Sequence, residues 1–468
     1  MRHDLVCAFV LLAACDCGKA ETSPCGAACP APRCVEGACL PSDGDASVRD
    51  AAVDALPGDA TVETRLDGGD DYCLGSGPPI LVGDGDAVEC VGRTAGFRFA
   101  LCTCDDLVTS HTLTTDSFDS GRGPYMAPGG VGGSVGTNRV SSSSAAWDVG
   151  GSYWASGAGA VTAGSPLAVG SELHVAARLA GSRVDVERDA WVGGGVGLEA
   201  LRVVGTLTVP EGRDLVAASS EIGATVRAPV DVAAPCACDP ADQVDIAAYV
   251  AHHTTDNDNA SIGLDPDVLA NVSSETTLDL PCGRFYLASV SATAPITLRV
   301  AGRVALFVDG PLTANDDFTV ELAEGAEVDV FVTGTVTAAG VFSLGSAEAP
   351  ARARLYVATN GTLNMSASTV FAGNLYAPNA ELVTAGDLEV FGSVFVRRLA
   401  ASGAVAIHYD TRILEAGDRC DPPDVCESCG DCPASEACVD GSCGACRTSD
   451  DCCAPLLCID GACVPELI

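Results

Sequence analysis

Cysteine is the residue type with the most chemistry to offer in this chain. There are 25 in 468 residues, and eleven of them fall between Cys420 and Cys463. Three similar hexapeptides, CVEGAC at 34–39, CVDGSC at 438–443 and CIDGAC at 458–463, stand at the two ends of the chain and not in its middle. In CVDGSC the Asp-Gly pair favours a two-residue hairpin, because a type I′ turn takes positive φ at both central positions. Its two cysteines then face one another across the strands or send their sulfurs to different partners. Each copy has another cysteine five or six positions upstream, at Cys29, Cys432 and Cys453.

The 44 residues from Cys420 to Cys463 are too few to bury a hydrophobic core, so disulfides must take its place. The disulfide candidates are Cys25, Cys29, Cys34 and Cys39 near one end and Cys236, Cys238 and Cys282 in the middle. Near the other end they are Cys420, Cys426, Cys429, Cys432, Cys438, Cys443, Cys446, Cys452, Cys453, Cys458 and Cys463. The spacing of Cys426, Cys429 and Cys432 also admits zinc, but the cluster has no histidine and belongs to an oxidising compartment. No metal is assigned there.

Acid–base chemistry is sparser. His408 and Asp410 stand two apart on a predicted strand and share a face, a spacing open to a general acid/base pair or to the polar end of a last strand. The second reading is preferred. His252 and His253 could join Cys236, Cys238 and Cys282 around a metal; a disulfide from Cys282 to Cys236 or Cys238 is the preferred reading. Asp256, Asn257, Asp258 and Asn259 begin like a calcium loop, yet Ala260 and Ser261 sit where a ligand and the turn glycine belong. At most a weak surface Ca2+ site is expected, and no other cofactor. No nucleophile elbow, zincin helix, phosphate loop or dinucleotide fingerprint occurs, so no catalytic residue is assigned and an enzyme is not expected.

The elements that would position these residues are strands. Apolar residues alternate in FTVEL (Phe318, Val320, Leu322), RVALFV (Val304, Leu306, Val308), EVDVFV (Val328, Val330, Val332) and AVAIHY (Val405, Ile407, Tyr409). Strand centres near Leu306, Val330, Tyr356, Leu375 and Val394 lie 24, 26, 19 and 19 residues apart. That period, close to the roughly 20 to 30 residues of one solenoid coil, and a core alphabet of Val, Ala and 52 glycines favour a parallel β-helix over a sandwich. Asp239 as N-cap and Pro240 as first residue predict one helix, about 239–253, that caps the strands or links two arrays of them. Val244, Ala247, Ala248 and Ala251 are its expected buried face. Residues 127–164, rich in Gly and Ser, read as a long decorated loop.

The formal charge of -38 and a single lysine, Lys19, argue against nucleic-acid binding. Disulfide density calls for export, and Arg2 followed by the apolar run 5–14 supplies a signal too short to span a bilayer. LAAC at 12–15 resembles the bacterial lipobox, which implies a diacylated Cys15 as first mature residue and attachment to a membrane of the cell envelope. Removing Cys7 and acylating Cys15 leaves 25 - 2 = 23 thiols, an odd number. The order CACDPADQVDIAAYVAHH, LDLPCGRFYL, GRVALFV, AEVDVFVTG, ARLYV and FAGNLYAPNAELV…GSVFV…HYD, over 236–410, is similar to a family of myxobacterial cell-surface proteins. The spacing of the hexapeptide modules resembles Cys-rich modules of the same surfaces. This resemblance implies a β-helix on the cell exterior and brings no established activity.

The chain therefore divides into a lipoprotein signal at 1–14, a Cys-rich module at 15–41, an acidic linker at 42–71, an all-β β-helix domain at 72–415 and a second Cys-rich module at 416–468. A rigid structural or adhesive lipoprotein is expected, with the terminal knot displayed at the far end of the rod. Its partners would be the membrane through the lipid, and an extracellular polysaccharide or surface protein. A polysaccharide-binding or polysaccharide-cleaving β-helix is the alternative.

Overall fold

The computed structural model describes residues 95–365 and 370–416, most of 426–465, and the short stretches 34–35, 38–39, 72–73, 81–82 and 89–90. Cys15, Cys25, Cys29 and Cys420 lie outside the described residues. Residues 1–65 and 66–468 form two compact units. The first contains the antiparallel hairpin Cys34–Val35 with Ala38–Cys39, in which Cys34 stands opposite Cys39.

The second unit is a parallel β-solenoid of three faces. One coil runs along Arg303–Val308, then Leu312–Ala314, then Phe318–Leu322, and the chain re-enters the first face at Glu327–Val332. Parallel pairing stacks like on like, so one core file can be followed by register. It passes from Leu306 to Val330, Leu355, Leu375 and Val394. None of these is more than 2% exposed. The period read from the sequence is therefore the coil period, with one correction: Leu355, not Tyr356, sits in the core file, because Tyr356 pairs with Phe331 on the outer side.

The file does not stop at Val394. It continues to Leu101, then Val135, Tyr153, Leu173, Ala190 and Leu207. The third face does the same, since Val405–Asp410 pairs in parallel with Leu113–Phe118 over six residues. The rod is thus two half-solenoids stacked in reversed chain order. One half grows outward from a central seam to Leu215–Arg227, and the chain then returns along the rod and builds the other half from Thr276–Leu280 back to the seam.

The returning segment forms a second layer. Cys236 and Cys238 are bonded to Cys102 and Cys104 beside the seam. The short helix Ile246–His252 then sets Tyr249 edge-on against Phe307 and Phe331, at 5.3 and 5.1 Å. Further on, Asp258 and Asn259 hydrogen bond the backbone of Arg284 and Tyr286, and Val272 bridges to Ala292. This layer explains why RVALFV is buried at all six positions, and not at alternate ones. Its outward side carries Phe307, Phe331 and Tyr356 in a stack, with centroids 5.2 and 4.6 Å apart. Beneath the same layer Arg354, 1% exposed, grips Asp329 through two nitrogens at 2.5 and 2.9 Å and Glu327 at 2.8 Å. A buried guanidinium requires such a complete set of partners, because an unpaired buried charge costs about 3–5 kcal/mol.

Corners depend on glycine where the strand bends without breaking its ladder. Gly392, at φ +126°, is one such position: a Cβ there would lie 2.0 Å from the carbonyl oxygen of Gly373 in the next coil. No side chain fits that approach.

Several expectations are corrected. Residues 127–164 are not a decorated loop. After 131 they contain short strands, Val135–Thr137, Ser141–Ser143, Trp147–Val149, Tyr153–Ala155 and Val161–Ala163, whose Gly and Ser residues make coil corners. Three-residue strands give too little alternation for the pattern to register. The predicted helix is a 3₁₀ turn, Pro240–Asp242, followed by Ile246–His252, and its buried face is Ile246, Tyr249 and Val250, not the alanines. Asp239 does cap the first turn, accepting from the Ala241 amide. Cys282 is bonded to Cys73, not to Cys236 or Cys238.

The terminal module is two copies of one unit. Cys426–Cys438 and Cys432–Cys443 recur twenty residues later as Cys446–Cys458 and Cys452–Cys463, and Cys429–Cys453 joins the copies. In both hairpins the hexapeptide cysteines stand opposite one another, yet their sulfurs go to different partners. The module does not sit at a tip. Pro455 and Leu456 line a small cavity with Arg98, Gly133, Tyr409 and Thr411, at the seam in mid-rod, because the last coil of the chain ends there.

Peptide mapping without reductant is expected to recover Cys73–Cys282, Cys102–Cys236 and Cys104–Cys238 as separate links. The first closes 209 residues and the others 134 each, so each adds up to about 5 kcal/mol by chain entropy. Recovery of Cys282 joined to Cys236 or Cys238 would contradict the path of the returning segment.

Candidate functional site

Strand register brings together a dense group of titratable side chains on the outside of the seam. In the parallel pairing across the seam His408 stands opposite Asp116, and one coil away Phe391 stands opposite His408. Alternation points all three outward. Glu389, two residues before Phe391, shares that side of the strand. The stretch between Leu113–Phe118 and Val135–Thr137 turns back over this surface and lays Tyr125 against the imidazole, with centroids 4.0 Å apart.

His408 Nδ1 lies 2.7 Å from Asp116 Oδ1, and Nε2 lies 3.3 Å from Glu389 Oε1. The Tyr125 hydroxyl donates to Asp116 Oδ2 at 2.6 Å, and the Gly129 amide donates to the same oxygen at 3.1 Å. Burial disfavours a charged ring, but the hydrogen bond and charge of Asp116, joined by those of Glu389, outweigh it and raise the His408 pKa above its ordinary value. Burial, with the bond to Asp116, raises the Tyr125 hydroxyl as well. Both shifts favour the protonated imidazole and the protonated phenol. In that state each ring nitrogen of His408 donates, one to Asp116 and one to Glu389.

His408 and Asp410 do not act on one another. Asp410 is fully buried and accepts from the amides of Ser120, Arg412 and Ala351, so it ties three segments together. His252, His253 and Asp256 do gather, with ligand atoms within 4.8 Å, but Arg284 shares the Asp256 carboxylate at 3.5 Å. Burial lowers the His253 pKa, and its Nδ1 is engaged by the Asp256 carbonyl. Cys236, Cys238 and Cys282 are in disulfides and supply no thiolate. Asp258 and Asn259, the start of the suspected calcium loop, are occupied with the strand Gly283–Leu287: Asp258 Oδ2 takes the Arg284 amide at 2.7 Å, and Asn259 takes the Tyr286 amide at 2.9 Å. The close cysteine triplets Cys426, Cys432, Cys443 and Cys446, Cys452, Cys463 are likewise disulfide sulfurs.

A second outer feature lies on the first face of the other half. Trp154, His174 and Trp191 occupy successive coils and stack at 3.6 and 4.4 Å, with Glu172 3.0 Å from His174 Nε2. Sequence reasoning found neither this ladder nor Asp116, Glu389 and Tyr125. Nothing in the chain joins residues some 290 positions apart except the fold. The partners of Cys236 and Cys238 did leave a signal. CTC at 102–104 repeats the spacing of CAC at 236–238, and the two motifs bond in order.

Residues 236–416 match the model of a family described as a domain of unknown function, DUF7305. No curated protein and no solved structure matches the chain. The matched stretch holds the returning segment and the half of the rod that ends at the seam, and stops short of residues 95–227.

The clasp at the seam has a pH signature. A folded-state pKa above the unfolded value of about 6.5 makes the contribution of His408 complete below that value and lost as pH rises through the folded one. Replacing His408 with Gln is expected to cost about 1.5–3 kcal/mol near pH 6, the size of a hydrogen bond to a charged group, and to cost less as pH is raised. Chemical denaturation at rising pH checks it; a gap that widens with pH would contradict the charge assignment.

Proposed function

We propose that this protein is a non-enzymatic structural or adhesive scaffold of the cell exterior: a stapled β-solenoid carried from an envelope membrane by lipid at Cys15. One observation carries the reading. The seam cluster, a place in the described rod where acid and base groups converge, is used as a clasp between the two half-solenoids, with each polar atom of His408 and Asp116 directed at a neighbour. Support also comes from the disulfides, which suit an oxidising exterior, and from the resemblance of 236–410 to myxobacterial surface proteins. Among the described residues no helix is long and apolar enough to cross a membrane, so attachment in this reading rests on the acyl chains.

The second reading is a polysaccharide-binding rod, and the Trp154, His174 and Trp191 ladder favours it, since an aromatic stripe of one ring per coil matches an extended polymer lying along the axis. Cleavage fits less well, because both nitrogens of the His408 imidazole are engaged by carboxylates.

The two readings separate in one experiment. The full chain is incubated with acidic and neutral glycans while new reducing ends and unsaturated products are followed, and tryptophan fluorescence is titrated in parallel. A scaffold gives neither product nor saturable fluorescence change. Turnover that falls at least about a hundredfold in Asp116→Asn would overturn it.

A further inference from the structure

We propose that the free edge of the last coil, Leu215–Arg227, is the surface through which two copies of this chain meet end to end. The coil pairs along eleven register positions with Val196–Val209 on one side, and no described strand pairs with it on the other. Its core-facing side chains are cut open. Leu215, Ala217 and Ile222 are half-buried and Ser220, Thr225 and Arg227 exposed, whereas their partners Val196, Leu198, Leu201, Val203, Leu207 and Val209 are no more than 5% exposed. Two valines of the same coil, Val216 and Val226, are 62% and 44% exposed. The edge lacks the lysines and prolines with which proteins blunt such strands.

At the opposite end of the rod two of the three faces are covered, and the third, Thr276–Leu280, pairs with Ile296–Val300 on one side and with no described strand on the other. Asp258 and Asn259 cap the backbone of Arg284 and Tyr286, and the carbonyls of Pro266, Leu269 and Val272 take the amides of Ala288, Ser291 and Thr293. Head-to-tail growth would need the two covered faces free, so the expected pairing is of two like edges, which closes at a dimer.

A twofold axis across the rod makes the two last coils antiparallel, and the side chains select where it passes. With the axis through residue 216, Leu215 faces Ala217 of the second copy, Ile222 faces Thr225 and Ser220 faces Arg227. Each large side chain then meets a smaller one. An axis through 221 sets Glu221 against its own copy, and one through 226 sets Leu215 against Ile222. The coil carries one acidic and one basic residue, Glu221 and Arg227, so it is a place where two chains of formal charge -38 can approach.

Thirteen residues a side is below the roughly 20–30 of a standard interface, so the pair is expected to be reversible. Sedimentation velocity of the full chain carrying Cys15→Ser, over about 1–100 μM, is expected to show monomer passing to dimer and nothing larger. Ser220→Lys, which faces Arg227, is expected to weaken the dimer at least tenfold, and Ser220→Asp to keep or tighten it; both sites are exposed in the monomer, and circular dichroism checks the fold. Amide exchange is expected to slow over 215–227 only where dimer forms. A monomer throughout, open-ended association, equal effects of Lys and Asp, or protection of 215–227 at every dilution would each overturn the pairing, the last because another part of this chain would then cover the edge.

Discussion

The structure turns on the backbone hydrogen bonds at the ends of a β stack. Every coil of a parallel solenoid is satisfied by a coil above and a coil below, and each end of a stack leaves a row of N–H and C=O groups without partners. A chain that wound once from end to end would put those rows on its first and last coils; in this chain they fall instead at Leu215–Arg227 and at the coil that begins with Thr276–Leu280. Here the first and last coils along the chain are brought together, Val394 on Leu101 and Val405 on Leu113, and each satisfies the other. The cost is a long return, and much of what decorates the rod follows from it: disulfides to hold the returning segment, an aromatic stack beneath it, a buried Arg354 cluster, and side chains of Asp258 and Asn259 spent on the far edge.

The same constraint explains where the polar groups went. His408, Asp116, Glu389 and Tyr125 sit outward of the seam and join strands from opposite ends of the chain, while Asp410 joins the segments around them. These contacts fasten strands from the two halves across the seam. A core of Val, Leu and Ala in straight files gives little shape specificity from one coil to the next, so register has to be pinned by such outer contacts.

Much of the architecture was legible. The spacing of Leu306, Val330, Leu375 and Val394 is the coil period, and the Cys-rich terminus is the disulfide-held module its composition requires. What failed did so for physical reasons. Three-residue strands such as Trp147–Val149 are too short to show alternation, and a strand buried on both sides, like Arg303–Val308, looks half-buried until its cover is known. The seam was not legible at all. Parallel stacking leaves no local mark of which coil lies above which, so Asp116 could not be joined to His408, nor Cys73 to Cys282, from their places in the chain.

The reversed stacking order is tested most directly by an engineered cross-link over the seam. Ala406 and Thr114 are register partners on the outer side of adjacent strands, within reach of a disulfide, though far apart in the chain. In the doubly substituted protein, Ala406→Cys with Thr114→Cys, spontaneous oxidation is predicted to yield a peptide joining the two positions in nearly every molecule, with the native fold kept. Two free thiols, or cross-links only between molecules, would contradict the seam and the order of the coils built on it.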